Sequence, residues 1–222
     1  MRLILFDCDG TLVDSQHMIV AAMGKAFAEL DLEPPSRERT LAIIGRSLHE
    51  AMTDLTDADH PIEKLVMAYR KSFFELRSDP DYHEPLYEGA KACLDALAAQ
   101  DDVLLGLATG KSRRGVDAIF ELHSLQDRFV TIQTSDNSPS KPDPAMVQQA
   151  LQETGVAAAD TVLIGDTSFD MMMARNASIE ALGVSWGYHQ PAALMQAGAS
   201  AVFDTFAELQ SHLLKDPSGQ RP

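Results

Sequence analysis

The sequence predicts an α/β fold, a parallel sheet with helices on both faces, interrupted after its first strand by an inserted all-helical domain. Three observations predict it. Short continuous apolar runs bounded by polar residues recur along the chain, as strands buried on both faces require. From about residue 88 onward these runs alternate with segments of helical spacing, the mark of a parallel sheet. Roughly seventy residues of helical pattern separate the first run from that series, whereas a crossover between parallel strands needs about a dozen.

Leu3-Ile4-Leu5-Phe6 forms the first strand, ended by polar residues and Gly10. Ile19, Met23, Ala26, Phe27 and Leu30 then fall on one helical face, and residues 37–54 and 61–77 read as further helices. Pro80-Asp81-Tyr82-His83-Glu84-Pro85 reads as the return linker, because prolines disfavour helix there. The insertion therefore covers 14–83 and the core covers 1–13 and 84–222. Within the core, Ala90, Cys93, Leu94 and Leu97 share a helical face, as do Val116, Ile119 and Phe120, then Met146, Val147, Ala150 and Leu151. Val103 to Ala108, Thr161 to Ile164 and Glu180 to Val184 read as strands. Phe129 to Ile132 is a weaker one, and Ala201 to Phe203 a short last one. The tail Asp216 to Pro222 is expected to fray.

The chain has 222 residues, 45% of them apolar, enough for an ordinary core. Its net charge of −15 repels nucleic-acid phosphates and anionic membranes, so neither is an expected partner. The apolar run before Asp7 is only Leu3 to Phe6, too short for a signal-peptide core or a membrane span. Two cysteines, Cys8 and Cys93, suggest neither a zinc site nor a disulfide framework. A soluble protein of the cytoplasm, monomeric or homodimeric, is the expectation. An anionic substrate would need a positive field created locally, by a metal ion or placed cations.

In an open parallel sheet, sites form at the carboxyl ends of the strands. The first strand ends in Asp7-Cys8-Asp9-Gly10-Thr11, the one at 103–108 in Thr109-Gly110-Lys111, and the one at 161–164 in Gly165-Asp166-Thr167-Ser168-Phe169-Asp170. Lys141, in Ser140-Lys141-Pro142-Asp143-Pro144, opens a helix near another strand end. Taken singly, each has a structural reading. Asp7 to Thr11 is a turn, Thr109 a helix cap and Lys141 a solvated lysine. Asp166 and Asp170 are acids favoured at a helix N-terminus. It is the set that carries chemistry. Asp7 and Asp9, two apart in an extended segment, face one site. Carboxylates crowded there would repel one another unless a hard divalent cation intervenes, and all-oxygen ligands favour Mg²⁺.

These motifs resemble the haloacid dehalogenase superfamily in its phosphatase branch. DCDGT at 7–11, the Thr of LATG at 109, the Lys of SKPDP at 141 and GDTSFD at 165–170 occur in that family's order. The helical insertion stands where the family carries its cap. FDCDGTLVDS, LYEGA at 86–90 and GVSWGY at 183–188 are similar to stretches of phosphoglycolate phosphatases. The resemblance implies a Rossmann-like core and a small phosphorylated metabolite as substrate. It implies Asp7 as nucleophile and Asp9 as general acid and base. It further implies Thr109, Gly110 and Lys141 on the phosphate, and Asp7, Asp9 (through its carbonyl) and Asp166 on Mg²⁺. Asp170 would act through water or by holding Lys141. On the cap, Arg46 in Gly45-Arg46-Ser47 is a candidate reader of a substrate carboxylate, with Arg113 and Arg114 weaker candidates.

A sugar phosphomutase of the β-phosphoglucomutase kind, or a phosphatase of nucleotides or pyrophosphate, would use the same core motifs. A receiver-type signalling domain also sets Asp, Thr and Lys at strand ends. About half of this chain would be surplus to it, and here an acidic pair follows the Lys. Cys8 reads as a small buried filler, Met171 to Met173 and Trp186 as packing, and His189 as a surface residue near the site mouth.

Overall fold

The computed structural model describes residues 1–56, 60–79 and 81–215. Six parallel strands form one sheet: β1 (Arg2–Phe6), β2 (Val103–Thr109), β3 (Thr131–Thr134), β4 (Thr161–Gly165), β5 (Glu180–Val184) and β6 (Ala201–Phe203). Their spatial order is β3-β2-β1-β4-β5-β6. β1 is central, with Phe6 level with Leu107 of β2 and Ile164 of β4. Chain order reverses around β1, so its carboxyl end and those of β2 and β4 open into one crevice.

The two-residue period of a strand sends alternate side chains to opposite faces. Ile4 and Phe6 pack with Leu105, Leu107 and Val116 under α5 (Ala90–Ala98), α6 (Arg113–His123) and α10 (Phe206–Leu213). Leu3 and Leu5 pack with Leu163, Met146 and Met171 under α7 (Ala145–Thr154), α8 (Ser168–Asn176) and α9 (Pro191–Ala197). Both faces are therefore covered, and each of these four β1 side chains is fully buried. At about 1.5–3 kcal/mol per buried aliphatic or aromatic side chain, that short strand anchors both layers.

The insertion contains α1 (Gln16–Glu29), α2 (Arg37–Ala42), α3 (Leu48–Leu55) and α4 (Ile62–Leu76). Met23, Phe27, Met52, Leu55, Leu65 and Val66 form an apolar cluster of its own. Its entry and exit segments run side by side. Asp14 donates its N–H to the Pro85 carbonyl at 2.8 Å, and Tyr87 donates to Leu12 at 3.0 Å.

Two expectations need correction. Residues 37–54 are two helices, not one. Gly45 adopts a φ of +99°, which breaks the helix, and Ser47 restarts it by accepting the Glu50 N–H. The strand expected at 129–132 begins at Thr131 instead. Phe129 stacks on Phe120 at 5.1 Å below the strand, and Val130 points outward. The tail Asp216 to Pro222, and Pro80 of the linker, lie outside the described residues.

Candidate active site

Asp7 leaves the end of β1 and Asp166 the end of β4, on adjacent strands. One oxygen from each of Asp7, Asp166 and Asp170 lies within 4.8 Å of the others. All three residues are buried, and so is Lys141, at 0% exposure. A lysine without solvent needs acids around it. Lys141 Nζ stands 2.6 Å from Asp170 Oδ1 and 2.8 Å from Asp7 Oδ1. These pairs outweigh burial and hold the ammonium charged, above its ordinary range.

One ammonium among three carboxylates leaves an excess of negative charge. Burial pushes the Asp7 carboxyl up to about 7; Asp170 and Asp9 add to the rise, and Lys141 opposes it. Burial first, then Asp170 and Asp7, raises Asp166 well above the usual carboxylate range. Asp166 has neutral support: Thr11 Oγ1 donates to Oδ1 at 3.0 Å and the Tyr188 N–H to Oδ2 at 2.9 Å. Asp7 has none: its Oδ1 meets only the Lys141 ammonium, and its Oδ2 has no partner. A buried carboxylate with one shared ammonium and nothing else, beside a second acid, fits a hard divalent cation. Asp7 could ligate it, and Asp166, with one neutral hydrogen bond on each oxygen, keeps a lone pair on each for it.

Asp170 shares that cluster but has no oxygen to spare. Oδ1 takes Lys141, and Oδ2 accepts the N–H of Thr167 at 3.0 Å and its hydroxyl at 2.6 Å. This is a capping box at the start of α8. Helix capping and lysine positioning thus fall to one carboxylate. The Asp9 carboxylate lies outside the cluster and is held elsewhere. Its Oδ1 accepts the Ser15 hydroxyl at 2.6 Å and Lys111 Nζ at 2.8 Å. Ser15 is the N-cap of α1, yet its side chain caps no helix N–H.

Lys111 continues a chain of charges that the sequence motifs did not reveal. It pairs with Glu84 Oε1 at 3.1 Å, and Glu84 Oε2 accepts Arg77 of the insertion at 2.9 Å. Glu84 is only 3% exposed although it belongs to the return linker. Lys111 and Arg77 each lie 5.2 Å from the centre of the Phe73 ring, one on the core side and one on α4. Ser15, Lys111, Glu84 and Arg77 were thus missed as site residues. Lys111 alone had a signal, its place right after Thr109-Gly110.

Thr109 is buried at the end of β2 and Gly110 follows it. A side chain at Gly110 would lie 2.5 Å from the Arg46 carbonyl oxygen and 2.6 Å from that of Gly45. The loop between α2 and α3 therefore rests directly on this turn. Ser47 also donates its N–H to Ser140 Oγ at 2.7 Å. His189 is not a plain surface residue. Its Nδ1 accepts the Ser168 N–H at 3.1 Å, and Nε2 stands 3.3 Å from the Ala42 carbonyl, joining core to insertion. Burial holds the imidazole below its usual pKa, in keeping with a neutral ring that accepts at one nitrogen and donates at the other.

Between core and insertion lies a cavity of about 400 Å³, with Asp7, Asp9, Thr109 and Gly110 at its floor. Arg46 lines it, but its guanidinium is taken by Glu50 at 2.7 Å and by Asp54, over the Phe169 ring. Arg113 pairs with Asp117 at 2.8 Å. Cys8 is buried, with a thiol pushed up by burial first and then by Asp9, which makes it inert. Trp186 donates Nε1–H to the Thr11 carbonyl at 3.0 Å, fixing the turn after Asp9. Met171 and Met173 are core. No described helix is long and apolar enough to cross a membrane.

Residues 4–184 match the family model described as haloacid dehalogenase-like hydrolase. A phosphoglycolate phosphatase of Rhodospirillum rubrum is 32% identical, over 99% of this chain and 94% of its own. A pyrophosphatase, PpaX, of Bacillus cereus is 27% identical over 82% of each chain. A solved haloacid dehalogenase-like hydrolase of Streptococcus pneumoniae aligns with a TM-score of 0.83 and 26% identity, over 96% of this chain and 98% of that one.

Proposed function

This chain belongs to the haloacid dehalogenase-like hydrolases and is a phosphatase of that family, and from that premise we propose that Asp7 is its nucleophile on a small phosphomonoester. The observation that carries the proposal is the Asp7 carboxylate, buried at the floor of the cavity with the Lys141 ammonium on Oδ1 and no partner on Oδ2. A buried acceptor left so calls for a partner that arrives with the ligand, a cation or the reacting phosphorus. Phosphoglycolate is the first substrate to try, given the relative that bears its name.

In the proposed mechanism Asp7 attacks phosphorus while the ester oxygen leaves and takes a proton from Asp9. The product alcohol departs and an aspartyl-phosphate remains on Asp7. Asp9, now ionised, takes a proton from water, whose oxygen attacks the same phosphorus. Inorganic phosphate leaves and both carboxyl groups return to their first state. Thr109 and the Gly110 N–H hold phosphoryl oxygens, and Lys141 offsets charge as the group transfers. Asp170 fixes Lys141 in place. A bound Mg²⁺, held by Asp7, the Asp9 carbonyl and Asp166, would supply further positive charge to the phosphoryl oxygens. The insertion over 14–83 acts as the cap that excludes bulk water.

The test is phosphate release from a panel of metabolite phosphoesters with Mg²⁺, by wild type and Asp7→Asn. The variant should lose about 10³-fold or more in turnover with an unchanged circular dichroism spectrum. Retained turnover in Asp7→Asn would remove the nucleophile assignment. An acid-quenched reaction should carry the phosphoryl adduct on Asp7 by mass spectrometry.

A further inference from the structure

The cavity reverses the charge balance of the chain. The protein has 33 acidic and 18 basic residues. Yet the cavity is lined by five cations, Arg46, Arg70, Arg77, Lys111 and Arg114, against three carboxylates, Asp7, Asp9 and Asp136. Three of the five are already neutralised. Arg46 has Glu50 and Asp54, and Arg77 and Lys111 share Glu84, with Asp9 also on Lys111. Arg70 of α4 and Arg114 of α6 pair with no acid among the described residues. They come to the same cavity from opposite sides, one from the cap and one from the core.

Much of the wall of the same cavity is apolar. Met23, Ile43, Leu48 and Phe73 line it from the cap. Phe74 is 57% exposed at the rim, and the Arg114 guanidinium lies over its ring at 4.9 Å. Cavities of about 300–1,000 Å³ hold ligands far larger than a two-carbon phosphoester. At about 400 Å³ this one belongs in that range.

Resting on the phosphatase reading above, we infer that the preferred substrate is a phosphomonoester whose leaving alcohol has an apolar, ring-sized body ending in an anion, which Arg70 and Arg114 bind. Arg46 is not the reader of that anion, because two cap acids hold it. Phosphoglycolate, with two carbons and no apolar body, leaves most of a cavity of about 400 Å³ unfilled.

Three probes separate the features: phosphoglycolate, benzyl phosphate and 4-carboxybenzyl phosphate. Wild type should give a kcat/KM for 4-carboxybenzyl phosphate about tenfold above that for either of the others. The ratio between the two benzyl esters should fall about fivefold or more in Arg114→Ala and in Arg70→Ala, and recover partly in Arg114→Lys. Raising NaCl to 0.5 M should shrink the same ratio, since the two arginines are exposed. A wild-type preference for phosphoglycolate over both benzyl esters overturns the inference. So does an Arg46→Ala effect on the ratio larger than those of Arg70→Ala and Arg114→Ala. These outcomes leave the phosphatase reading intact. Failure of wild type to release phosphate from all three probes and from the metabolite panel would overturn that reading, and this inference with it.

Discussion

Two buried ionic clusters begin at Asp7 and Asp9, two residues apart, and they are built in opposite ways. At Asp7, three carboxylates crowd around one ammonium that pairs with two of them, and Asp7 Oδ2 has no partner. At Asp9, charges alternate through Lys111, Glu84 and Arg77 with contacts of 2.8, 3.1 and 2.9 Å. Burying an ion costs several kcal/mol unless opposite charge and hydrogen bonds offset it. The second cluster supplies that offset from within and ties the cap to the core. The first does not, and its deficit lies at the floor of a cavity. An incomplete cluster calls for a cation and a reacting group, whereas a complete one fixes geometry. Asp9 joins the two, a reacting group held by the structural cluster.

The largest test of this contrast is Lys141→Met. The side chain is fully buried and its length is nearly kept. Asp7 then loses its only ammonium. The expected result is a fall in kcat of about 10³-fold, the range for losing one charge-stabilising group, with the fold retained by circular dichroism. A loss under tenfold would make Lys141 a packing residue.

The second test reads the charge deficit as stability. An unfolded Asp titrates near 3.9, while Asp7 in the folded, metal-free protein is held up at about 7 by burial, with Asp170 and Asp9 adding and Lys141 opposing. Between those values the native state keeps a proton that the unfolded chain has released. Stability is therefore full below about pH 4 and is lost as pH rises toward 7. Asp166 is shifted in the same direction. Metal-free protein should lose about 5–10 °C in Tm across that window, and Mg²⁺ should restore much of it at neutral pH. Asp7→Asn should flatten both responses. Equal slopes for wild type and Asp7→Asn would show that Asp7 carries no such deficit.

The first cluster was legible in the sequence and the second was not, for a physical reason. Asp7, Asp166 and Lys141 follow apolar strands, and strand order brings strand ends together, so the fold places them once the strands are read. Glu84 meets Lys111 across 27 positions, and Lys111 meets Asp9 across 102, with no periodicity to mark either pair. Such pairs depend on where a linker lies over the sheet, which hydrophobic pattern does not encode. The helix break at Gly45 was hidden in a similar way. Ile43 and Ile44 keep the apolar spacing running through the gap, while the backbone turns at a glycine whose positive φ leaves no trace in that spacing. Phe129 imitates a strand residue because it is apolar, although it packs on Phe120 before the strand begins.

The smallest expected effect comes from Glu84→Gln, and its sign separates the clusters most clearly. The substitution keeps shape but removes the charge between Lys111 and Arg77. Lys111 still has Asp9, and the Arg77 side chain is 28% exposed, so part of the loss is made up. A fall of about 1–2 kcal/mol in stability follows, below the ~3–5 kcal/mol of a fully broken buried pair. That corresponds to about 3–6 °C in Tm for a chain of this size, while kcat changes less than tenfold. Lys141→Met also breaks buried pairs and should cost about 3–5 kcal/mol, but unlike Glu84→Gln it should take turnover down with it. A Glu84→Gln enzyme with unchanged Tm and a hundredfold lower kcat would dissolve the distinction. Glu84 would then act on Asp9 through Lys111 during the reaction, and the cap linker would be part of the proton-transfer machinery.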